Sequence, residues 1–458
     1  MKTNLLILAT AACTLSGCGI YSSYHPATEV PEGLYGEEAA HADTTASLAD
    51  KGWRDFFQDP QLCALIELGL QNNTDLQAAR LRVTEAEATL LSAKLAYLPS
   101  FALAPQGTVS SFDGAKAVQT YTLPVTASWE LDFFGRLRNA KRQAKALLEQ
   151  SRDYRQAVQT GLVAGIANAY YTLLMLDAQL DISQQTERSW QETVESIRAL
   201  MEAGMANEAA VSQMEAASCS VSNAVLDLRE QINTVENSLS LLLAEPIHAI
   251  GRGRLDGQHF PEGLLVGVPL EILSKRPDVR SAERGLEAAF YVANQSRSSF
   301  YPSVVLSGTA GWTNSAGGMI VNPAKFVATA VGSLMQPLFN KGTNLARLKI
   351  AKAQQEEARL AFQQTLLNAG AEVNEALEQC QTARKKSAYY ERQVASLDKA
   401  LTSTRLLMEH GTTTYLEVLT AQQSLLNAQL EQVANRCIEI QGLIGLYQAL
   451  GGGVDEDR

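Results

Sequence analysis

The sequence lacks an excess of positive charge, long apolar runs and the composition of a disordered chain. Its 458 residues carry a formal net charge of −11, so no surplus of cations is available to neutralise the phosphates of a nucleic acid. No uninterrupted run of roughly 18 or more apolar residues occurs, which argues against a transmembrane helix. With 46% apolar and 19% charged residues, the chain is too apolar to be disordered. These absences exclude nucleic acid as the main partner and leave a soluble assembly or a β-barrel.

Cysteine and histidine are scarce and scattered. The six Cys and five His residues form no CxxC or His-flanked pair, so neither a zinc site nor a redox motif is predicted. The segment Gly251–Gly257 is rich in glycine, but its spacing does not fit a dinucleotide loop. The spacing of Cys63, Cys219, Cys380 and Cys437 selects no disulfide pairing. No nucleophile and base form a recognisable motif, so we predict a protein that is not an enzyme and has no metal.

The N-terminus has the pattern of a bacterial lipoprotein signal. Lys2 precedes an apolar stretch, and Leu15-Ser16-Gly17-Cys18 resembles a lipobox. We predict that residues 1–17 are removed and that Cys18 carries N-acyl and diacylglycerol lipid, the only cofactor-like group expected. An Asp after the lipidated cysteine retains such lipoproteins at the inner membrane; residue 19 is Gly, so the outer membrane is expected. The alternative is an ordinary signal peptide with a cysteine near its cleavage site.

The mature sequence contains an internal repeat. Asp75–Ala79 is echoed by Asp278–Ala282, and Tyr97–Ser100 by Phe300–Ser303, at an offset of about 203 residues. We therefore predict two duplicated halves rather than solenoid units. The predicted division is an extended lipid-anchored segment 18–58, a first repeat 59–245, a linker 246–275, a second repeat 276–450 and a tail 451–458. Within the repeats we predict a helix in each, then β-hairpins 101–133 and 303–339, long helices 136–201 and 342–409, and helices 208–244 and 414–449.

Apolar residues in the long helices repeat every three and four residues, which is the spacing of a coiled-coil seam. The seam of the last helix is predicted to include Leu416, Leu419, Gln423 and Leu426. At about 1.5 Å per residue, each long helix spans roughly 100 Å. A compact globule of this chain length would be only about 60 Å across, so an elongated molecule is expected.

Residues 121–133 alternate between apolar or aromatic side chains and mostly polar ones. This pattern favours a transmembrane β-strand with one face toward lipid and the other toward a lumen. Glu130 and Asp132 lie on the polar face and are predicted to line the lumen. Four strands cannot close a barrel in a bilayer, so identical copies must complete the wall. Two copies would form a barrel filled by side chains; three would form an open one, which the polar inward faces favour.

Several local strings, in this order, resemble the TolC-like outer-membrane factor family, especially its lipidated, NodT-type branch. The strings are Trp53–Leu62, Trp129–Arg136, Arg276–Arg280, Gly411–Leu416 and Ala421-Gln422. The resemblance covers about residues 50–450. It implies an α+β membrane protein in which four β-strands per protomer form one third of a trimeric, twelve-stranded outer-membrane barrel. The barrel would continue into a long α-helical coiled-coil tunnel in the periplasm.

The resemblance also implies the function. The protein would be the exit duct of a tripartite efflux system, passively conducting small molecules outward. Its partners would be a periplasmic adaptor, outer-membrane lipid and an inner-membrane pump, most often of the resistance-nodulation-division class. We retain two alternatives: a periplasmic coiled-coil adaptor or structural lipoprotein without a pore, and a lipid-anchored hydrolase.

The candidate sites lie near the predicted helical tips. In the family, a hydrophobic ring and an acidic ring constrict the pore at its periplasmic end. Leu416 matches the position of the hydrophobic ring. Thr420 stands where the family has an acid, and Glu417 could supply the acid instead. The tips themselves would contact the adaptor. The candidate tip residues are Gly204, Asn207, Glu208, Gly411, Thr412 and Thr413.

Overall fold

The computed structural model describes residues 23–25, 52–111, 113–258, 260, 275–316 and 319–452. The predicted signal 1–17, the predicted lipid-attachment residue Cys18 and most of the segment 18–58 lie outside the described residues, as do half of the linker (259 and 261–274) and the end of the tail. The described residues form two compact units. The first contains residues 81–152 and 281–363 with 23–25; the second contains 52–80, 153–280 and 364–452.

The chain passes twice through a helix, an antiparallel strand pair, a 67-residue helix and a 35-residue helix. The first series is α1 (Trp53–Phe56), α2 (Pro60–Asn72), α3 (Thr74–Leu95), β1 (Ser100–Leu103), β2 (Gln106–Ser110), β3 (Val118–Leu131), α4 (Arg136–Glu202) and α5 (Glu208–Leu242). The second is α6 (Pro277–Ser298), β4 (Ser303–Ala316), β5 (Met319–Met335), α7 (Thr343–Glu409) and α8 (Tyr415–Ala449). Helices α4 and α7 both have 67 residues, and α5 and α8 both have 35, as expected of a duplicated half.

The strands form one antiparallel sheet in the first unit. Strand β3 pairs with β4, β4 pairs with β5, and the other side of β3 pairs with both β1 and β2. The hairpin predicted over 101–133 is therefore interrupted in its first strand: Pro105 lies between β1 and β2, because proline has no N–H for the ladder. Similarly, β5 ends at Met335, two residues before Pro337, rather than at Phe339. The described part of the chain thus has four strand positions, the first of them interrupted.

One face of the sheet exposes apolar side chains. Tyr121, Leu123, Val125 and Trp129 of β3 are each between 40% and 46% exposed, far above the value for a soluble protein's sheet core. The Trp129 indole N–H donates to the backbone carbonyl of Tyr97 at 2.8 Å, so this aromatic side chain is fixed at the end of the strand. The arrangement fits a strand face that contacts lipid.

The helices of the second unit bury large aromatic and branched side chains. Tyr170 and Tyr171 of α4 and Ile444 and Tyr447 of α8 are at most 1% exposed. Among the described helices, one, α4, contains an 18-residue stretch with mean hydropathy 1.2, apolar enough to cross a membrane by length and composition alone. Because 56% of that stretch is buried inside the protein, a core helix explains it equally well.

The predicted seams hold along α7 but not at the start of α8. In α7 the residues that repeat every three and four positions from Phe362 through Cys380 to Met408 are all buried or half-buried. In α8, however, Leu416 and Gln423 are exposed, whereas Val418 and Leu425 are buried against α7. The predicted phase is wrong there because α8 packs on two partners: Leu426 on its other side contacts Trp190 of α4.

The segment predicted to be extended to residue 58 contains a short helix. In α1, Trp53 and Phe56 are buried, and Phe56 stacks on Tyr447 of α8 with ring centroids 4.9 Å apart. The next residues, Phe57 and Asp59, lead into α2, where Asp59 is the N-cap and accepts a hydrogen bond from the Gln61 amide at 2.9 Å. The prediction of an extended chain is wrong at 53–56 because these aromatic side chains are buried against a helix core.

Candidate gate and helical tips

The two helical tips have the same backbone geometry. Gly204 ends α4 with φ +75°, and Gly411 ends α7 with φ +71°. In each tip the following amide donates to a carbonyl five residues back: Met205 to Leu200 at 2.8 Å, and Thr412 to Leu407 at 2.9 Å. This is the Schellman motif, in which a residue at positive φ lets orphan carbonyls at the helix end be satisfied. The glycines are therefore needed for the turn.

The residues after the two glycines differ in how well they cap the next helix. Asn207 is the N-cap of α5, and its side chain accepts from the Ala210 amide at 2.9 Å; Glu208 follows it and is exposed. Thr414 is the N-cap of α8, but its side chain makes no capping hydrogen bond within the described structure. The Thr413 hydroxyl is buried and has no partner among the described residues. The start of α8 is thus less firmly capped than the start of α5.

A small apolar cluster ties the tip of the second repeat to that of the first. Val211 and Met214 of α5 pack with Ile197 of α4, and Tyr415 and Leu419 of α8 pack against them. The Tyr415 hydroxyl also donates to Gln213 of α5 at 3.0 Å. The first turn of α8 is therefore held to α4 and α5 by one side only.

The opposite side of α8 carries the three predicted gate residues. Leu416 is 53% exposed, Glu417 and Thr420 are exposed, and the Thr420 hydroxyl donates to the Leu416 carbonyl at 2.8 Å. Together with Leu397 of α7 and Ser424, they line a surface cavity of about 380 Å³. The structure thus places the predicted gate residues on one face, and Leu416 is not part of the packed seam within a copy.

Glu130 and Asp132 lie where β3 leads into α4. The Asp132 carboxylate accepts from the backbone amides of Leu137 at 3.1 Å and Arg138 at 2.7 Å, so it satisfies the start of the helix. Glu130 forms an ion pair with Arg136. Both acids have local structural partners, and their lumen-lining role stays a prediction.

Arg276 and Asp278 of the Arg276–Arg280 string form a polar network around the buried Arg276 side chain at the start of α6. Arg276 is 4% exposed and donates to Asp278, to Glu372 of α7 at 2.6 Å and to the carbonyl of Ala449 at 3.0 Å. Burial raises the pKa of Asp278, but the Arg276 guanidinium outweighs it and holds that pKa below its usual value. The string therefore joins α6, α7 and the end of α8.

A second polar network, which sequence patterns did not reveal, holds the chain after α5. The Arg252 guanidinium donates to Asp177 of α4, with Nη2 and Oδ1 3.0 Å apart, and also pairs with Glu236 of α5. The hydrogen bonds to Asp177 raise the pKa of Arg252 above its ordinary value. Nearby, the Tyr170 hydroxyl donates to Asp59 at 2.7 Å. No spacing rule links these residues, because they come from distant parts of the chain.

The chemistry of the remaining polar groups is sparse. All four cysteines in the described ranges are free thiols, and burial raises the pKa of Cys380 and of Cys437 to about 11. Among the described residues, no group of three or more His, Cys, Asp or Glu side chains could hold a metal ion. A half-open cavity of about 220 Å³ between α4, α7 and α8 is lined by Trp190, Arg405 and Gln422, residues that sequence analysis did not single out for this role.

Comparison with known proteins identifies the family. The model of the outer membrane efflux protein family matches residues 65–245 and 268–452, one segment for each repeat. The cation efflux system protein CusC of Escherichia coli O6:H1 is 29% identical, with 99% of each chain covered. The probable outer membrane lipoprotein SilC of Salmonella typhimurium is 28% identical, again with 99% of each covered.

The solved structures agree with this assignment. The open state of the Neisseria gonorrhoeae MtrE outer membrane channel is similar, with a TM-score of 0.83, 27% identity, and 95% of this chain and 98% of that chain covered. The predicted fold class is confirmed, and the alternatives of a poreless adaptor and a hydrolase are set aside. The chain belongs to the outer membrane efflux protein family, and it is an outer-membrane efflux channel that extends into the periplasm and not an enzyme.

Proposed function

We propose that three copies of this chain form one duct, which carries small molecules from a pump and the periplasm to the exterior. The observation that supports this most directly is the sheet. Its outer strands, β1 with β2 on one side and β5 on the other, have no further partner among the described strands. A bilayer does not tolerate such open edges, so each edge must pair with another copy. Three copies of four strand positions make a twelve-stranded barrel with a water-filled bore.

The helices attached to those edge strands support the same arrangement. Helix α3 leads into β1, and it exposes Leu91 and Leu95, which are 56% and 52% exposed. Helix α7 follows β5, and it exposes Leu345 and Ile350, which are 54% and 56% exposed. These apolar side chains would be covered if α7 of one copy packed beside α3 of the next. The strand edges and the helix faces thus both support a contact between the β5–α7 side of one copy and the α3–β1 side of the next.

A matched pair of variants tests this contact. We expect Ile350→Glu to weaken association, because a carboxylate would be buried without a partner between copies. Leu226→Glu on α5, at a residue that is 59% exposed, is the control. Co-expressed copies with two different tags are purified in mild detergent, and the fraction carrying both tags is measured. Co-purification of wild type and the control but not of Ile350→Glu supports the proposal; no co-purification of wild-type copies refutes it.

We further propose that the exposed face of α8 constricts the periplasmic end. Leu416 would form a hydrophobic ring, and Glu417 the acidic ring that Thr420 does not provide. Exposure of Leu416 within a single copy supports this, since an exposed leucine beside a pore axis can meet its counterparts in the other copies. Leu416→Ser should raise the open conductance in planar bilayers, whereas Leu406→Ser, at a residue of 52% exposure on α7, should not. Equal conductance of the two variants would refute the assignment of the ring.

The tips would contact a periplasmic adaptor, and the pump would be of the resistance-nodulation-division class. Cysteines at Asn207 and Thr413 should cross-link to the adaptor in cells, with Lys386 as a control position on α7. Because Cys219 is an exposed free thiol, it is first replaced by Ser. Capture of an adaptor from both tip positions and not from Lys386 supports the proposal; equal capture from all three contradicts it.

Lipid attachment at Cys18 is proposed from the lipobox and from the similarity to a probable outer membrane lipoprotein. Cys18→Ser should abolish labelling by a fatty-acid analogue added to growing cells. Continued labelling of the variant would place the lipid elsewhere.

A further inference from the structure

The first turns of α4 and α7, next to the sheet, contain many cations and no acids of their own, although the chain as a whole has a net charge of −11. Residues 133–148, which begin α4, contain no Asp or Glu, and neither do residues 336–355, which begin α7. These two segments carry eight exposed cations that form no ion pair with any described residue. We refer to these eight as the basic collar: Arg138, Lys141, Arg142, Lys145, Lys341, Arg347, Lys349 and Lys352.

The cations on α4 face the same way as the lipid-facing side of β3. Arg136 points to the polar face of the strand, since its Nε donates to Glu130 at 2.7 Å. At about 100° per residue, Arg138, Lys141 and Lys145 lie roughly 140–200° around the helix from Arg136. They therefore lie on the opposite face. In agreement, the Lys141 ammonium is 5.9 Å from the Tyr97 ring, and the Tyr97 carbonyl accepts from the outward-facing Trp129.

The second repeat has the same charge order. Two turns below the collar, Arg152 pairs with Glu149, and Arg359 pairs with Glu356, both with i,i+3 spacing. Counting back from these pairs, Lys349 and Lys352 occupy the positions of Arg142 and Lys145. In both repeats, cations without an ion pair thus lie in the first turns of the helix and the i,i+3 pairs lie two turns further along it; Arg136, which pairs with Glu130, is the exception. This repetition indicates that the unpaired cations are specific to the part of each helix nearest the sheet.

The collar adjoins exposed apolar and aromatic side chains. Phe133 at the end of β3 is 63% exposed, and Leu338 and Phe339 before α7 are 94% and 85% exposed. Aromatic side chains followed by cations are the arrangement that suits the boundary between acyl chains and headgroups, because the long stems of Lys and Arg can reach the phosphates.

We propose that the basic collar binds the phosphates of anionic phospholipids in the periplasmic leaflet of the outer membrane. The strands span the bilayer and the helices extend into the periplasm, so the collar lies at the headgroups of that leaflet. Lys and Arg donate charge-assisted hydrogen bonds to phosphate oxygens, and several cations act together within a screening length. The collar would hold the duct at a fixed depth in the bilayer.

The test uses the full-length, delipidated assembly and short-chain phosphatidylglycerol and phosphatidylcholine of equal chain length, with dissociation constants from native mass spectrometry. Wild type should prefer phosphatidylglycerol, and added salt should reduce the preference. Each cation near an anionic headgroup is worth about fivefold in affinity. Three such factors multiply to about a hundredfold, so the triple variant R138Q/R142Q/K145Q should lose up to about a hundredfold of the preference.

Three further measurements separate the explanations. R138K/R142K/K145R keeps the charge and should keep the preference, and K385Q/K386Q/R392Q, with an equal change of charge elsewhere on α7, should leave it unchanged. If the triple variant fails to assemble, the proposal is judged on the salt dependence of the wild-type lipid preference and on the lipid preference of the single variant K145Q. The proposal is overturned if wild type shows no preference, or if the control variant loses as much as the collar variant. It is also overturned if the triple variant dissociates while its lipid preference is unchanged, which would assign the cations to acids of a neighbouring copy.

Discussion

Two glycines one turn apart in α8 should respond to alanine with opposite signs. A Cβ at Gly442 would lie 2.7 Å from the Cys380 sulfur and 3.2 Å from the Cys380 backbone nitrogen of α7. A Cβ at Gly445 would meet nothing closer than the Ala376 Cβ, at 3.6 Å, which is ordinary contact. Comparing the two variants therefore separates the intrinsic effect of replacing a helical glycine from the steric effect of the close contact between α7 and α8.

The magnitudes follow from these distances. Alanine in place of a helical glycine stabilises by about 0.8–1 kcal/mol, and Gly445→Ala should gain most of this. Gly442→Ala gains the same amount but must also push apart a packed interface, which typically costs about 1–3 kcal/mol. Cys380 is fully buried, so its sulfur has little room to turn aside. The net effect of Gly442→Ala should be a loss of up to about 2 kcal/mol.

Thermal unfolding of the purified assembly, followed by circular dichroism at one scan rate, gives the order. The apparent Tm should be highest for Gly445→Ala, intermediate for wild type and lowest for Gly442→Ala. Adding Cys380→Ala to Gly442→Ala should recover part of the loss, because it removes the sulfur but leaves the backbone contact. If Gly442→Ala raised the Tm as much as Gly445→Ala does, the two helices would not approach as closely as described, and the reasoning would fail.

Three other outcomes can be measured on the same protein. Gly411→Ala should destabilise the tip by about 1–2 kcal/mol, because residue 411 has a positive φ, and Gly411→Asn should destabilise it by less. Protease cleavage at the tip measures the difference, and equal cleavage of both variants would contradict the Schellman geometry. The exposed Cys219 should react with a maleimide in the native state. Cys380 is buried, and burial raises its pKa to about 11, so it should react only after unfolding. Equal reaction rates would show that α7 and α8 separate. Burial raises the pKa of Asp59, but hydrogen bonds from Tyr170 and other donors outweigh burial and hold that pKa below its usual value. The contribution of the Asp59 carboxylate to stability is therefore present above the unfolded pKa of about 3.9 and is lost as the pH falls through the folded pKa. Asp59→Asn should flatten the acid limb of a stability curve below pH 4, and an unchanged limb would contradict the assignment.

The long helices could be predicted from the sequence because their signals are local. Neither α4 nor α7 contains proline, and apolar residues repeat along α7 with the period of one packed face. The duplication could also be read, because strings such as Asp75–Ala79 recur at a nearly constant offset. The tip glycines were found for the same reason, since each ends a periodic stripe.

The features that were missed depend on more than one neighbour. The first turns of α8 pack on α7 through Val418 and on α4 and α5 through Leu419, so a single stripe could not give the phase that exposes Leu416. The contacts of Arg276 and Arg252 join residues that are far apart in the chain, and no motif spacing encodes them. The break at Pro105 had a local signal, the missing N–H, which the strand pattern around it outweighed.

The open edges of the sheet have a consequence for biogenesis. A lone copy inserted in a bilayer would present a row of bare N–H and C=O groups along β5, each costing several kcal/mol in hydrocarbon. The cost accumulates over a strand of 17 residues, so a solitary inserted subunit has no stable existence. In the proposed trimer, insertion would therefore be concerted with oligomerisation, and diluting the finished complex within the bilayer should not release its subunits.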